Sequence, residues 1–240
     1  MTALTPSHAI SEAHARDEIC RVGKSLFDRG YVHASAGNIS VRLDNGFLIT
    51  PTDACLGFLD PAKLALLDAN GHHISGDKPS KTIALHRRIY DASAAFDAQT
   101  RCVIHTHSSH CVALTLKTNP HADIRSSFAN AHELLPPITP YFVMKVGHVP
   151  VIDYHPPGAA ETAEAVAHTI SRYGQQGTPI RAVMLARLGP NVWHQSPAAA
   201  MATLEELEET AKLMVQAREP LSPLTSNQIQ KLRDTFGAQW

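Results

Sequence analysis

The segment NISVRLDNGFLIT, residues 38–50, constrains the fold more strongly than any other stretch of the chain. Apolar and polar residues alternate along it on both sides of an Asn45-Gly46 pair. The alternating apolar positions are Ile39, Val41, Leu43, Phe47 and Ile49. Alternation with a period of two is typical of a β-strand, and an Asn-Gly pair favours a tight turn. The segment therefore predicts a β-hairpin, so the fold must contain antiparallel strands.

Helical and strand patterns follow one another along the rest of the sequence. The predicted helices are residues 11–29, 81–94, 109–116 and 161–173, one starting near Pro197, and one opened by a capping box from Thr225 to Gln228. The further predicted strands are residues 102–107, 150–154 and 180–186. A polar, proline-containing connection is expected over residues 117–140. Because no repeat or low-complexity linker interrupts this mixture, we expect one α/β domain over residues 1–240, with a mixed sheet covered by helices.

Composition argues against several classes of function. The 240 residues are 44% hydrophobic, which suits one domain with a substantial core. Lys and Arg number 21 against 22 Asp and Glu, so a net charge of -1 provides no basic surface for a nucleic-acid partner. No apolar run approaches the ~20 residues of a membrane helix, and no secretory signal is expected. The four cysteines lack CxxC spacing, so we expect reduced thiols in a cytoplasmic protein.

Two histidines, His105 and His107, stand one residue apart in CVIHTHSSH, at the end of a predicted strand. Side chains two apart on a strand point to the same face, so these imidazoles can share one cation. Zinc or a similar ion needs three or four ligands. Taken alone, the spacing is equally typical of two polar residues at a strand end. His110 is expected on the following helix, facing elsewhere.

Three short polar segments are candidate anion-binding turns. Asn38 precedes a strand, Thr52 follows one, and Ser80 with Lys81 lies near a predicted helix start. Backbone N–H groups at a helix start bind phosphate or carboxylate well. Each segment, taken alone, is explained equally well as a capped turn. The acidic run EELEE at 205–209, by contrast, is predicted to be a solvated helix face.

The histidine pair and the polar segments occur along the chain in a recognisable order. The motifs ASAGNIS, LITPT, KPSK, HTHSSH and TPYFVMKVG together resemble the class II aldolase/adducin family. The likeness is greatest to its 3-oxo-tetronate 4-phosphate decarboxylase branch, where LGFLDPAKL, SGDKPSK and LEELEETAKL also match. There the resemblance covers nearly the whole chain. The combination is specific to the family, although each motif alone is weak.

The resemblance implies a fold, an assembly and a cofactor. The fold is a three-layer α/β/α domain with a central, mainly antiparallel sheet. The assembly is a cyclic homotetramer with active sites between neighbouring subunits. The cofactor is a divalent metal, most often zinc, with manganese or cobalt as alternatives, held by three histidines and an acidic residue. His105 and His107 match two of those histidines.

The resemblance also assigns roles outside the histidine pair. Asn38, Thr52 and Ser80 match positions that hold a substrate phosphate. Tyr141 matches a tyrosine that donates a proton to the site of a neighbouring chain. Lys81, beside Ser80, is expected to engage a substrate carboxylate or phosphate. The implied substrate is a small, acidic, sugar-derived molecule.

Three positions depart from the family pattern. Thr82 stands where the family places its metal-binding Glu, and Leu188 stands where it places the third histidine. Asp53 replaces the glycine of a phosphate-binding Thr-Pro-Thr-Gly turn. Leucine cannot bind a metal, and threonine is a poor ligand compared with a carboxylate. A carboxylate beside a phosphate repels it unless a cation intervenes.

Three functions remain consistent with this combination. The first is a metal-dependent carbon–carbon lyase that decarboxylates a 3-oxo-tetronate 4-phosphate-like acid through an enediolate. The second is a class II sugar-phosphate aldolase or a decarboxylase of a non-phosphorylated acid, which Asp53 favours. The third is a non-catalytic paralogue that has lost the metal, which Thr82 and Leu188 favour. The candidate replacement ligands are His110, His132, Asp153 and His155.

Overall fold

The structure, a computed structural model, describes residues 10–116 and 133–240. A single sheet of eight strands runs through these residues. The strands are β1 (Asn38–Leu43), β2 (Gly46–Ile49), β3 (Ala65–Asp68), β4 (His73–Ser75), β5 (Cys102–His105), β6 (Val151–Ile152), β7 (Ala182–Leu185) and β8 (Gly189–His194). The strand order is β4-β3-β2-β1-β5-β8-β7-β6, and only the β6–β7 pair is parallel.

The same residues form seven α-helices. They are α1 (Glu12–Asp28), α2 (Ile83–Ser93), α3 (Ser109–Leu116), α4 (Pro140–Lys145), α5 (Ala160–Gln175), α6 (Pro197–Gln216) and α7 (Ser226–Phe236). Two single-turn 3-10 helices, Leu56–Phe58 and Pro61–Lys63, connect β2 to β3. No helix in the described ranges is long and apolar enough to span a membrane.

Apolar side chains fill both sides of the sheet. On one side they pack against α1, α3, α4 and α6, and on the other against α2 and α5. The hairpin contributes to both sides. Val41 and its cross-strand partner Leu48 belong to the first core, whereas Phe47 and Ile49 belong to the second. A mainly antiparallel sheet between two helical layers confirms the predicted three-layer α/β/α fold.

Helix starts follow the capping residues that the sequence contains. The Ser11 side chain accepts the N–H of His14 at the start of α1, and the Ser196 side chain accepts that of Ala199 at the start of α6. Thr225 and Gln228 form the predicted capping box of α7. Such bonds satisfy N–H groups that the helix itself leaves without a partner.

Several predicted boundaries are wrong. The strand predicted over residues 102–107 ends at His105, so His107 lies beyond it. The strand predicted over residues 150–154 keeps only Val151–Ile152. Helix α4 begins at the last residue of the predicted connection and was not predicted, and neither were β3, β4 and β8. Strand β8 opens with Gly189-Pro190, a pair that reads locally as a turn.

The acidic run 205–209 is not uniformly solvated, which corrects the prediction for Glu208. This side chain is buried and accepts the backbone N–H groups of His110 and Cys111, at 3.0 and 3.1 Å. His110 Nδ1 lies 2.8 Å from the same carboxylate. Glu208 therefore caps the start of α3 from a neighbouring helix, and His110 faces away from His105, as expected.

Candidate active site

Three polar side chains form a row across the middle of the sheet. On β1, Asn38 is paired with His105 of β5, and His105 is paired with Asn191 of β8. Directly paired residues point to the same face of a sheet. Val103, two residues before His105, packs in the core beneath α2 and α5, so the row faces those helices. The sheet thus brings together polar groups that lie far apart in the chain.

A cavity of about 540 Å³ opens above this row. The first residues of α2 and α5 and the turn after β2 form its walls. Its polar lining includes Asn38, Thr52, Asp53, Lys78, Ser80, Lys81, Thr82, His105 and His107. The structure therefore gathers every predicted site residue except Tyr141. Leu188 also lines the cavity, at the edge of the same space.

The two histidines of the pair have the geometry and protonation of metal ligands. Their ring centroids lie 5.0 Å apart. His105 Nδ1 lies 2.9 Å from the carbonyl oxygen of Pro190 and donates to it, which leaves Nε2 with a free lone pair. Burial, with His107 nearby, lowers the pKa of His105 to about 4. Burial and the neighbouring His33 ring also lower the pKa of His107, so both rings are neutral at pH 7.

The four-ligand set implied by the family pattern is only half present. Zn–N bonds are ~2.0–2.1 Å long, so two rings at the observed separation fit one shared ion. Leu188 cannot replace the missing imidazole, and Thr82 is a poor substitute for the missing carboxylate. Across residues 10–116 and 133–240, no three His, Cys, Asp or Glu side chains are placed together as a ready metal site. The chain thus offers two nitrogen donors and open positions beside them.

None of the three described candidates for a replacement ligand is placed to complete the set. His110 is bound to Glu208. Asp153 and His155 do not line the cavity. His132 lies outside the described residues. The prediction that one of the three described residues replaces a metal ligand therefore receives no support from their positions.

The other end of the cavity carries hydroxyl groups and cations suited to an acidic ligand. Ser80 Oγ lies 2.9 Å from Thr82 Oγ1, and Thr82 is the residue that precedes α2. Lys78 and Lys81 line the same end. Asp53 lies among them with a φ of 57°, a left-handed conformation that glycine adopts most easily. Its carboxylate reduces the positive charge of this end.

A buried histidine beneath the cavity was missed by the sequence analysis. His86 of α2 is fully buried, and its Nδ1 lies 2.7 Å from Ser40 Oγ, which lies 2.8 Å from the hydroxyl of Tyr90. Burial, with His105 nearby, lowers the pKa of His86 to about 3. No local signal marked it, because its partner Ser40 is one of the polar residues that alternate along β1 and such positions are usually read as solvent-facing.

Several buried polar atoms at this place have no hydrogen-bond partner among the described residues. They are His86 Nε2, Asn38 Oδ1, and both Oδ1 and Nδ2 of Asn191. Buried polar groups in folded proteins are nearly always paired. These atoms therefore mark a place that needs water or a ligand.

Tyr141 is not part of the cavity. It lies on α4, its side chain is 60% exposed, and it does not line the space around His105. Within one chain it cannot donate a proton there. Its exposure is what a residue directed at another subunit requires.

The chain is similar to known proteins over nearly its whole length. The family model described as "Class II Aldolase and Adducin N-terminal domain" matches residues 17–215. A 3-oxo-tetronate 4-phosphate decarboxylase of Cupriavidus necator is 48% identical over 235 residues, 96% of this chain and 99% of that protein. One from Pectobacterium atrosepticum is 40% identical and covers 88% of each chain. The crystal structure of YgbL from Escherichia coli, described as an aldolase, epimerase or decarboxylase, has a TM-score of 0.77 at 36% identity and covers 92% of this chain and 99% of that one.

Proposed function

The chain belongs to the class II aldolase and adducin family, and on that premise we propose that it is a carbon–carbon lyase that decarboxylates 3-oxo-tetronate 4-phosphate. The observation that carries this proposal is the 48% identity, over 96% of the chain, to a decarboxylase of that substrate. Similarity of this extent to enzymes also favours an active protein over a non-catalytic paralogue.

The chemistry of a 3-oxo acid suits a site that lacks a carboxylate at position 82. Loss of carbon dioxide from such an acid forms an enediolate directly, and a proton then completes the reaction. No base is needed to start it. Cleavage of an aldol, by contrast, begins with removal of a hydroxyl proton by a base. Thr82 therefore disfavours the sugar-phosphate aldolase alternative more than it disfavours decarboxylation.

The polar end of the cavity is proposed to hold the acidic groups of the substrate. Asn38, Thr52 and Ser80 would bind the phosphate, as the matching positions of the family do. Lys81 would pair with the carboxylate or the phosphate, and its location beside Ser80 in the cavity supports this role. Charge-assisted bonds of this kind are about twice as strong as neutral ones. They would orient the 3-oxo group toward the histidines.

We propose that His105 and His107 hold a divalent ion, with zinc expected first and manganese or cobalt as alternatives. When bound, such an ion polarises the oxygen of the ketone. The Pro190 carbonyl keeps the His105 ring in the tautomer whose Nε2 lone pair is available. Leu188 and the first residues of α5 line the same cavity.

Protonation of the product is proposed to come from another subunit. Tyr141 is exposed on α4 and is absent from the cavity of its own chain, so a homotetramer would let it reach a neighbouring site. We further propose that the assembly is a cytoplasmic enzyme and that residues 1–240 form one domain.

A second candidate reaction is decarboxylation of the corresponding non-phosphorylated acid. Asp53, which lies in the cavity beside the proposed phosphate site, favours it. A carboxylate within a few ångströms of a phosphate weakens its binding.

One assay tests the activity and separates the two substrates. Carbon dioxide release would be measured from 3-oxo-tetronate with and without its 4-phosphate, in the presence of zinc, manganese or cobalt. We expect release from the phosphorylated acid at a kcat/KM at least tenfold higher. A preference for the non-phosphorylated acid would establish the second candidate, and no release from either acid would contradict both.

A further inference from the structure

A second cavity, of about 440 Å³, shares no lining residue with the cavity around His105. The last turn of α4, the first turns of α6, and Gly237 with Gln239 form its walls. Three basic side chains line it: Lys145 from α4, Arg181 from the residue before β7, and His194 from the end of β8. The proposed function gives none of them a role.

The charged groups at this cavity are mainly positive. No Asp or Glu of residues 10–116 and 133–240 lines it. Arg181 Nη1 donates to Asp97 Oδ2 at 2.6 Å, so Asp97 offsets one positive charge from outside the lining. A guanidinium has five N–H donors, and this ion pair leaves others for a ligand. Lys145 supplies a second positive charge at the last turn of α4.

His194 adds an uncharged donor. The N–H of Gln195 donates to His194 Nδ1 at 2.8 Å, which places the proton of the neutral ring on Nε2. Burial, with Arg181 and Lys145 nearby, lowers the pKa of His194 to about 4, although Asp97 acts in the opposite direction. At pH 7 the ring is therefore neutral, and its Nε2–H can donate to an acceptor.

The walls of the cavity are held to one another. Thr203 Oγ1 donates to the Lys145 carbonyl at 3.4 Å, which joins α6 to α4. The Trp240 ring stacks on His148 with centroids 4.3 Å apart, and this contact anchors the residues that follow α7. A preformed cavity of ~300–1,000 Å³ with a few convergent polar groups is typical of a small-molecule site.

We propose that this second cavity binds the phosphate group of a small anion, through Lys145, Arg181 and His194. Donors from three separate elements suit a phosphate, which has several strong acceptor oxygens, better than a carboxylate, which has two. Hydrogen bonds between charged partners are about twice as strong as neutral ones. The inference goes beyond the proposed function and does not depend on it.

The test is phosphate binding by the full chain, measured by equilibrium dialysis at pH 7 in metal-free buffer. The probes are inorganic phosphate, glycerol phosphate and acetate. Lys145→Ala and His194→Phe change the second cavity, and Lys81→Ala changes the proposed active site. Lys231→Ala is the matched control, because Lys231 is an exposed helical lysine that lines neither cavity.

We expect two phosphates per chain in the wild type and in Lys231→Ala, and one in Lys81→Ala. Lys145→Ala should weaken one of the two sites by about tenfold or more, because a hydrogen bond from a charged donor is lost. His194→Phe should weaken the same site by about fivefold, through loss of a neutral donor. Acetate should bind this site more weakly than either phosphate. Tighter binding of glycerol phosphate than of inorganic phosphate would identify an organic phosphate as the ligand, and equal binding would identify free phosphate.

Phosphate binding that is unchanged in Lys145→Ala would overturn the inference, as would a wild type that binds no phosphate or binds acetate equally well. If Lys145→Ala alters the oligomeric state but not phosphate binding, the cavity is a contact with another subunit and the inference also fails. A single phosphate that is lost in Lys81→Ala alone has the same meaning. A single phosphate that is lost in Lys145→Ala alone would support the inference and contradict the phosphate site of the proposed function.

Discussion

Two clusters of buried polar side chains in this protein differ in how many of their polar atoms have a hydrogen-bond partner. The Glu208 cluster consists of Glu208, His110 and Cys111. The cavity floor consists of Asn38, His86, His105 and Asn191. In the cluster both carboxylate oxygens accept hydrogen bonds, whereas in the floor three of the four side chains have polar atoms without a partner among the described residues.

This difference indicates that the Glu208 cluster contributes to stability, whereas the cavity floor contributes to function. A fully paired carboxylate at the start of α3 offsets its own burial and stabilises the packing of α3 on α6. Polar atoms left without partners cost about 1–3 kcal/mol each. The cavity floor accepts that cost, which water or a substrate would remove. Changes in the cluster should therefore reduce stability, and changes at the cavity should reduce activity.

Glu208→Ala should have the largest effect, and it should act on stability. Two backbone N–H groups, one buried and one partly buried, lose their acceptor at ~1–3 kcal/mol each, so we expect the free energy of unfolding to fall by about 3 kcal/mol. Urea denaturation measures it. Glu209→Ala is the control, because Glu209 is exposed and its Lys212 contact is 3.5 Å long. A loss below ~1 kcal/mol for Glu208→Ala would show that the paired cluster is not a stabilising one.

His105→Ala should show the opposite pattern. We expect kcat/KM for carbon dioxide release to fall by about 100-fold or more, because the variant removes one ligand of the proposed ion. Its free energy of unfolding should fall by only ~1–2 kcal/mol, through the lost bond to the Pro190 carbonyl. Full activity in a folded variant would remove His105 from the mechanism.

His86→Gln should change the pH dependence of stability. The pKa of His86 is about 3 in the folded protein, well below the 6.5 of an unperturbed histidine. Between these values the unfolded chain binds a proton that the folded chain does not, so stability falls as pH falls from 6.5 toward 3. Each such histidine adds a slope of up to about 1.4 kcal/mol per pH unit. Urea denaturation at pH 6, 5.5 and 5 should show a shallower slope in the variant, and an unchanged slope would contradict the buried neutral state.

Asp53→Asn should have the smallest effect, and it should depend on the substrate. Removing one exposed negative charge beside the proposed phosphate site is worth ~1 kcal/mol, so we expect KM for the phosphorylated acid to fall about fivefold. Asparagine tolerates the positive φ of this position. KM for the non-phosphorylated acid should stay the same. An equal change for both acids would place the phosphate elsewhere.

The parts of the fold that were predicted correctly are those with strong local patterns. The hairpin has a period of two around Asn45-Gly46, and α6 begins at a Ser196-Pro197 pair that both caps and starts a helix. The parts that were missed have weak or misleading local patterns. Strand β8 begins with glycine and proline, and α4 is only six residues long and begins at the last residue of the predicted connection.

The residues of the candidate site likewise divide into those that local motifs predicted and those that they did not. His105, Asn38, Ser80 and Lys81 were predicted from motifs, and the structure brings them into one cavity. His86 was not predicted, because a lone histidine on a helix is read equally well as exposed. Its burial depends on Ser40, a residue 46 positions away. Glu208 was misread for the same reason, since its partner Cys111 lies 97 positions away.

The local amino-acid sequence was therefore enough to predict the hairpin, most helices, the family resemblance and the histidine pair. Neighbouring residues decide those features through backbone preference, capping and the period of apolar positions. Only the packing of distant segments decided which polar residues are buried and which of them lack hydrogen-bond partners. The same packing placed His33 beside His107. Burial and pairing depend on contacts across the sheet, and those contacts join residues whose separation along the chain carries no local signal.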